Sequence, residues 1–409
     1  MNTISQKDKA ILKELAKIQI EYAKTPKNEE RKHQWFLHND LKDSRPLVTI
    51  EEGTFEHELA RSLACETEKG REFELQLMRN IVAFEDIDDD RAMPDFFSIR
   101  RPAWFLPFGV KSEKKHVKNS IAFEYDLIIH DLAEDRSLLG ASEWGYSKDT
   151  SDLELAQEIF SGIIPVREIS HNPNVELTQI LLRYMSMETM MFSLYDEPEL
   201  FHEVLNQLSE DMMKWFREME NGGYFITNNQ IQHVGQGTCS ANTKFAHKDG
   251  AALSEMWGYF DSQETSPISP DMYKEFIFPY YKRIMDACGL VNYGCCEAVH
   301  PIWDSCLSTC ANLRKVSISP WCDEEFMGER LHGSNVIFHR KPSPNLVGAA
   351  GDFNEASYSD HIIKTLKAAK GCKLEFSLRD IYSLGGEKNR AKRVVQLIRN
   401  LIELHWEGL

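Results

Sequence analysis

Apolar, β-rich runs recur through this chain and alternate with longer segments of helical pattern, and this alternation constrains the fold more than any single motif. Parallel sheets are built from strands that alternate with helices, and eight such units close into a barrel. The sequence therefore predicts an α/β protein, a (β/α)8 TIM barrel spanning residues 45–409. The eight runs lie at 47–50, 96–105, 224–227, 257–262, 290–295, 315–319, 335–339 and 373–378.

The first 44 residues follow a helical pattern instead. Apolar residues from Ile11 to Tyr22 recur at four-, three- and four-residue intervals, and Ser5 with Asp8 forms an N-terminal cap pair. We therefore predict a helical extension, residues 1–44, ahead of the barrel.

Two further segments have simple interpretations. The long stretch between the second and third predicted strands contains two helical patterns, 175–195 and 197–220. We interpret this stretch as an insertion, which barrels tolerate. The acidic run 85–90 lacks the glycine and terminal glutamate of a calcium loop, so we predict a solvated loop.

Composition narrows the class of protein. The formal net charge of -17 repels nucleic acid and anionic lipid at long range, so neither partner is expected. Nine cysteines, an odd number, fit a reducing compartment better than a disulfide framework. The N-terminal segment is charged, and no long apolar run occurs. These features predict a cytoplasmic protein, and they leave a homodimer open.

Polar side chains follow the predicted strands at their carboxyl ends, which form the active face of a barrel. Gln263 and Glu264 follow the fourth run, and Glu297 follows the fifth. We predict Glu264 and Glu297 as catalytic carboxylates and Gln263 as a substrate contact, since carboxylates with perturbed pKa values gather at functional sites. The alternative is a salt bridge to Arg314, Arg340 or Arg379.

Thiols and imidazoles near these carboxylates suggest a metal or acid–base role. Cys295 and Cys296 should point to opposite faces of a strand, so we expect at most one in the lumen. His233 lies in a polar loop after the third run, and His300 stands three residues beyond Glu297, the spacing of a helical ligand pair. Buried structural cysteines and a plain loop histidine are the alternatives.

Residues that end the last three strands could bind substrate. Trp321 would offer an aromatic wall and Asp323 a hydrogen bond, unless the tryptophan covers the barrel and the aspartate begins the next helix. The basic residues at the strand ends could bind a carboxylate or phosphate of the substrate, unless they form ion pairs within the protein. The candidates that end the seventh and eighth strands are Arg340, Lys341, Arg379 and Asp380.

Three segments resemble the uroporphyrinogen decarboxylase superfamily: YDEPELFH at 195–202, SPDMYKEFIFPYY at 269–281, and the strand that carries Cys295. The resemblance covers most of residues 160–405 and implies a (β/α)8 barrel. This superfamily contains porphyrinogen decarboxylases and methyltransferases that pass methyl groups to or from corrinoid proteins or thiols, usually with zinc. The decarboxylase branch carries an N-terminal Arg-Gln-Ala-Gly-Arg-type motif. This chain has RPLV at 45–48 instead, which argues against porphyrinogen decarboxylation.

The methyltransferase branch often binds zinc through His-x-Cys on the fifth strand and a distant cysteine on the eighth. Here Tyr293-Gly294-Cys295 occupies the first position, and Arg379-Asp380 stands near the second, so the usual triad is broken. The resemblance leaves room for a rebuilt zinc site, and it adds Tyr293 to the catalytic candidates. The ligands we predict for it are His233, Glu264, Cys295, Cys296, Glu297 and His300.

The resemblance therefore implies a substrate-specific methyltransferase of a corrinoid-dependent demethylation system. A zinc ion or a positioned acid would activate a small methylated substrate, and a partner corrinoid protein would receive the methyl group. The chain lacks an Asp-x-His-x-x-Gly cobalamin motif, so the corrinoid belongs to the partner. One alternative is a metal-free lyase or decarboxylase, with Arg340 and Arg379 for binding and Glu297 for proton transfer. A weaker one is a non-catalytic corrinoid- or porphyrin-binding protein.

Overall fold

The computed structural model describes residues 4–116, 123–147, 149–231, 233–348 and 353–406. Within these ranges one sheet has seven strands, in the order β1-β7-β6-β5-β4-β3-β2, and all neighbours are parallel. This is the cyclic order of a TIM-like α/β fold. No pairing of β1 with β2 joins the two ends in the described ranges. The strands are β1 Leu47–Ile50, β2 Asn174–Val175, β3 Trp257–Phe260, β4 Leu290–Tyr293, β5 Leu313–Ile318, β6 Ile337–Arg340 and β7 Leu374–Leu378.

Helices connect and cover these strands. The α-helices lie at Gln6–Ala23, Pro26–Asn39, Glu56–Leu59, Glu68–Val82, Leu132–Asp135, Ser151–Phe160, Leu177–Leu181, Met187–Asp196, Pro198–Asn221, Pro270–Met272, Phe278–Met285, His300–Trp303, Glu324–Leu331, Asn345–Gly348, Glu355–Ala368 and Arg390–His405. Short 3-10 turns occupy Pro107–Gly109, Arg136–Leu138, Leu253–Glu255, Gln263–Thr265 and Leu307–Thr309, and π-helical turns occupy Ala83–Ile87 and Tyr273–Ile277. Among the helices described here, none is both long and apolar enough to cross a bilayer.

Short strand pairs lie outside the main sheet. Phe97–Arg100 pairs in parallel with Val166–Ile169. The antiparallel pairs are Ala103–Leu106 with Glu143–Tyr146, Lys114–His116 with Phe123–Tyr125, and His233–Gly235 with Thr238–Cys239.

Six of the eight predicted strands are confirmed, as β1 and β3 to β7. Their residues are buried on both faces, as expected for parallel strands under helices. The run 96–105 was wrong as a barrel strand because it breaks at Pro102, and its two halves pair elsewhere. The run 224–227 forms only an isolated bridge, between Ile226 and Asp249.

The long insertion was predicted less well than the strands. The helix expected at 197–220 is confirmed as Pro198–Asn221, whereas the one expected at 175–195 splits into Leu177–Leu181 and Met187–Asp196. The two-residue strand β2 was missed because it is too short to leave a periodic pattern.

Alternation along the strands divides the residues of the sheet into two sets. One set, including Val291, Val316 and Phe338, belongs to the large apolar core shared with the surrounding helices. The other set faces the lumen and is largely polar, because residues two apart in a strand share a face. There, Lys315 bonds to Glu375 across the sheet, and the Ser377 hydroxyl bonds to both His339 and Thr49.

The N-terminal helices are present where the sequence predicted them. Ser5 Oγ accepts a hydrogen bond from the Asp8 N–H, which confirms the cap. Helix Pro26–Asn39 carries Trp35 and His38 toward the lumen: His38 Nε2 lies 3.1 Å from Glu375 Oε2, and Lys315 Nζ lies 5.2 Å from the Trp35 ring. A division of the chain at residue 44 stays a prediction.

The free edge of β1 is covered by carboxylates rather than by another strand. Asp90 Oδ2 accepts from the Val48 N–H at 2.7 Å, and Asp89 Oδ2 accepts from the Ile50 N–H at 3.0 Å. Both aspartates are buried, so the prediction that 85–90 is a solvated loop was wrong for them. Burial alone would raise the pKa of Asp90, but the hydrogen bond and charge of Arg45 lower it to about 2.

Candidate active site

Polar side chains from five strands meet at the carboxyl end of the sheet, the end where barrel enzymes carry their active sites. Because all seven strands are parallel, residues that follow them lie on one side of the molecule. We call this group the rim cluster. Its members are Glu51, Asp261, Cys295, Cys296, Glu297, Lys341, Arg379 and Asp380.

The two cysteines of the rim cluster lie side by side. Strand β4 ends at Tyr293, and Gly294 has φ +104, a conformation that favours glycine, so the chain turns away from the strand path. Residues 295–297 form a bend beyond this turn, and the Sγ atoms of Cys295 and Cys296 are 3.6 Å apart. The prediction that alternation would separate them was wrong, because the strand has already ended.

Charges around the pair distinguish its two sulfurs. The hydrogen bond from Cys296, with the positive charges of Lys341 and Arg379, outweighs burial and lowers the pKa of Cys295 to about 5. The same contact raises the pKa of Cys296. Arg379 Nη1 lies 3.5 Å from Cys295 Sγ, and Asp380 Oδ2 lies 3.7 Å from Cys296 Sγ. At neutral pH Cys295 is a thiolate and Cys296 a thiol.

Asp261 is the acid of the rim cluster, and the sequence did not identify it. Its carboxyl is 3% exposed, and burial together with the charges of Glu297 and Cys295 raises its pKa to about 9. Tyr259 donates a hydrogen bond to Oδ2 at 2.5 Å, whereas Oδ1 has no partner among the described residues. This neutral carboxyl can donate a proton from an oxygen that no other side chain engages.

Glu297 follows strand β4, near enough to Asp261 for its charge to raise the pKa of that carboxyl. Its Oε1 accepts from the Ser262 N–H at 3.1 Å and its Oε2 from the Cys295 N–H at 2.7 Å. Burial raises the pKa of Glu297, although the backbone hydrogen bonds oppose the shift. Since both oxygens hold backbone amides, Glu297 fixes the loops after β3 and β4 relative to each other.

Lys341 and Arg379 supply the positive charge of the rim. Lys341 Nζ donates to the Cys295 carbonyl at 2.9 Å and to Gln236 Oε1 at 2.5 Å, and burial lowers its pKa. Arg379 Nε donates to Glu51 Oε2 at 2.5 Å. Glu51 and Gln236 also line a cavity of about 330 Å³. Each cation of the rim therefore has one partner that lines this cavity.

Several predicted residues lie elsewhere. Tyr293 packs in the outer core, where its OH bonds to Ser262 Oγ and Tyr273 OH, both at 2.6 Å. Arg340 is buried between helices, with Nη1 2.7 Å from the Ser319 carbonyl and Nε 3.3 Å from Glu324 Oε2. Alternation explains both corrections, because each is one residue out of phase with the lumen.

Other candidates lie near the strand ends without contacting the thiols. Trp321 is 74% exposed. Asp323 caps helix Glu324–Leu331, the alternative left open by the sequence, and its N–H donates to His300 Nδ1 at 3.2 Å. Glu264, in the same 3-10 turn as Gln263, accepts from Thr178 Oγ1 at 2.8 Å.

The predicted zinc ligands are not assembled among the side chains that the structure describes. Within the described ranges, no group of three or more histidine, cysteine, aspartate or glutamate side chains could hold a metal ion. Glu264 and His300 are engaged by Thr178 and Asp323, and a guanidinium contacts the Cys295 sulfur. The backbone of His233 lies in a short hairpin, but its side chain falls outside the described residues. The described ligand candidates do not form a zinc site among themselves, so zinc stays a prediction and we assign it no chemical step.

Comparisons with known proteins support the fold. No family model matches the chain, and no curated protein does. Among solved structures, the chain is similar to a methyltransferase from Methanosarcina mazei, with a TM-score of 0.50 and 11% sequence identity. The match covers 90% of this chain and 98% of that one. At this identity the likeness establishes a shared TIM-like α/β fold and does not by itself identify a reaction.

Proposed function

We propose that this chain is an enzyme that takes a methyl group from a small methylated compound and passes it to a corrinoid protein. The observation that carries the proposal is Asp261, a buried neutral carboxyl at the carboxyl end of a parallel sheet, with one oxygen that has no partner among the described residues. The fold it shares with a methyltransferase is consistent with this assignment.

Asp261 would act as the general acid. A methyl group leaves nitrogen, oxygen or sulfur more readily when that atom gains a proton as the bond to carbon breaks. The Asp261 proton would be donated at Oδ1, while the Tyr259 hydroxyl holds Oδ2 in place. The negative charge of the Cys295 thiolate helps to keep the proton on Asp261 until the leaving atom takes it.

The other residues of the rim cluster would position the substrate and lower the free-energy cost of the charge that forms during the reaction. Arg379 and Lys341 offset the negative charge left when Asp261 loses its proton. Glu297 fixes the two loops that carry Asp261 and Cys295. A reduced corrinoid on the partner would supply the nucleophile for the methyl carbon. This chain would hold that carbon in line and protonate the leaving atom.

The test is an assay of methyl transfer with one substitution. The purified chain is mixed with free reduced cobalamin and a panel of small methylated amines, ethers and thioethers, and methylcobalamin is followed by absorbance. We expect Asp261→Asn to lower the rate by roughly 10²-fold or more. Asp323→Asn, a change in a helix cap that keeps a capping side chain, is the matched control and should leave the rate unchanged. An undiminished rate in Asp261→Asn would exclude the proposed acid.

A lyase or decarboxylase remains the second candidate, because a neutral Asp261 could equally protonate a carbanion. Lys341 and Arg379 could hold the substrate carboxylate, but Arg340 is occupied by Glu324. Carbon dioxide release from a carboxylated substrate without any corrinoid would establish this candidate. Retention of a corrinoid or porphyrin without turnover would favour a binding protein.

A further inference from the structure

We infer that Cys295 and Cys296 form a redox couple, in which a hydroperoxide converts the two adjacent thiols into a disulfide. Their sulfurs lie 3.6 Å apart, in contact but unbonded. Contact between side chains adjacent in sequence requires the chain to leave the extended path, and it does so in the bend at residues 295–297. The inference stands independently of the proposed methyl transfer.

The surroundings give the two sulfurs different tasks. Arg379 Nη1 is 3.5 Å from Cys295 Sγ, and Lys341 Nζ is bonded to the Cys295 carbonyl, so positive charge favours the thiolate there. Cys296 has Asp380 Oδ2 at 3.7 Å, an acceptor for the proton that it must lose. Cys295 is therefore the attacking sulfur and Cys296 the resolving one.

The steps balance with one equivalent of hydroperoxide. The Cys295 thiolate attacks the peroxide oxygen, an S–O bond forms, and the O–O bond breaks. The departing hydroxide takes a proton from solvent and becomes water, which leaves a sulfenic acid on Cys295. Cys296 then gives its proton to Asp380 and attacks the Cys295 sulfur. The S–S bond forms as the S–O bond breaks, and the second hydroxide becomes water with that proton.

The oxidant is assigned to the hydroperoxide class because of access. Cys295 is 7% exposed, which excludes attack on a bulky disulfide without movement of the surrounding loops. Hydrogen peroxide is close to water in size and can reach a nearly buried sulfur. The disulfide would remove the thiolate whose charge favours the neutral form of Asp261.

The experiment treats the full chain with hydrogen peroxide, removes the excess, and counts free thiols after denaturation. We expect the count to fall by two, and the peptide containing both residues to lose two hydrogen atoms in mass spectrometry. Dithiothreitol should restore both thiols. An unchanged count, or a disulfide that involves any other cysteine, would overturn the inference.

Three variants separate the two roles, with folding checked by circular dichroism. Cys296→Ser lacks the resolving thiol, so its Cys295 should gain oxygen instead of losing hydrogen. Cys295→Ser should leave Cys296 unoxidised over the same period. Cys322→Ser, a buried cysteine outside the rim cluster, is the control and should behave like the unchanged chain. Oxidation of Cys296 at an undiminished rate in Cys295→Ser would contradict the assigned order.

Discussion

Two buried charged groups occupy the same lumen and differ in how their charges are arranged. We call one of them the lower group, and it consists of His38, Lys315, His339 and Glu375; the other is the rim cluster. In the lower group Lys315 Nζ lies 2.8 Å from Glu375 Oε2, and although burial opposes the shift, Lys315 holds the pKa of Glu375 well below its usual value. In the rim cluster, by contrast, an aspartate keeps its proton and a cysteine loses one at neutral pH.

The contrast separates charged residues that stabilise the fold from charged residues that can take part in chemistry, within one sheet. In the lower group, opposite charges cancel, and burial lowers the pKa of His339 to about 3, so that it stays neutral. Such pairs are costly to break, although their net contribution to stability is modest. At the rim, protonation states are displaced from their solution values and one oxygen is left unpartnered, which is typical of functional sites.

The largest expected effect comes from breaking the lower pair. Lys315→Met leaves the Glu375 carboxylate buried and unpaired, so the free energy of unfolding should fall by about 3–5 kcal/mol. Urea denaturation measures the change. The double variant Lys315→Met, Glu375→Leu removes both charges and should recover most of the loss. A single variant as stable as the unchanged chain would mean that the pair is not a structural unit.

The next largest effect is on the pH dependence of the free energy of unfolding. The folded pKa of Asp261, about 9, lies above its unfolded value, so its contribution to stability is lost as pH rises from about 4 to 9. The folded pKa of Cys295, about 5, lies below its unfolded value, so its contribution is lost as pH falls from about 9 to 5. Between pH 5 and 9 the two oppose each other.

Asp261→Asn removes one of these opposing contributions. The unfolding free energy of the variant should therefore rise between pH 6 and pH 8 by about 2–3 kcal/mol more than in the unchanged chain. Urea denaturation at the two pH values tests this. The same pH dependence in both proteins would contradict the protonation states assigned to the rim.

A smaller effect concerns the activity that we propose. Methyl transfer should decline above about pH 9, as Asp261 loses its proton. Cys295→Ser removes a nearby negative charge, so the decline should move to lower pH by on the order of one unit. The pH profile of the rate measures the shift, and Cys306→Ser, a core cysteine, is the control. If Cys295→Ser leaves the pH profile unchanged, the charge of the Cys295 thiolate does not influence the pKa of Asp261.

The smallest effect is expected from Arg379→Gln. Loss of the guanidinium should raise the pKa of Cys295, but by less than one unit or so, since Cys296 and Lys341 still stabilise the thiolate. The pH dependence of iodoacetamide labelling at Cys295 reports the change. Arg379→Lys retains the charge and should move the midpoint less. A larger shift with lysine than with glutamine would exclude an electrostatic cause.

Much of the sheet was predictable, because strands buried on both faces leave apolar runs in the sequence. The covering of the free edge of β1 was not predictable, since no sequence pattern reveals that Asp89 and Asp90 bond to backbone amides there. Strand β2 was missed because it has only two residues, and the run 96–105 was predicted as one strand although it contains Pro102.

The candidate site was predictable in location but not in phase. Strand ends identified Glu297, Lys341 and Arg379, whereas Arg340 was misplaced because a period of two sends adjacent residues to opposite faces. Asp261 was missed because the predicted strand extended through it to residue 262. Counting alternate residues from Tyr259 could have found it.

The carboxylates along β1 have a consequence for how copies of this chain meet in a crowded solution. An exposed sheet edge offers a row of N–H donors to any extended segment that passes, and so invites aggregation. Here the Val48 and Ile50 donors already bind Asp90 and Asp89, and these carboxylates are held in place by Arg45, Arg399 and Arg91. The edge of β1 is thus closed to a foreign strand at both of these positions.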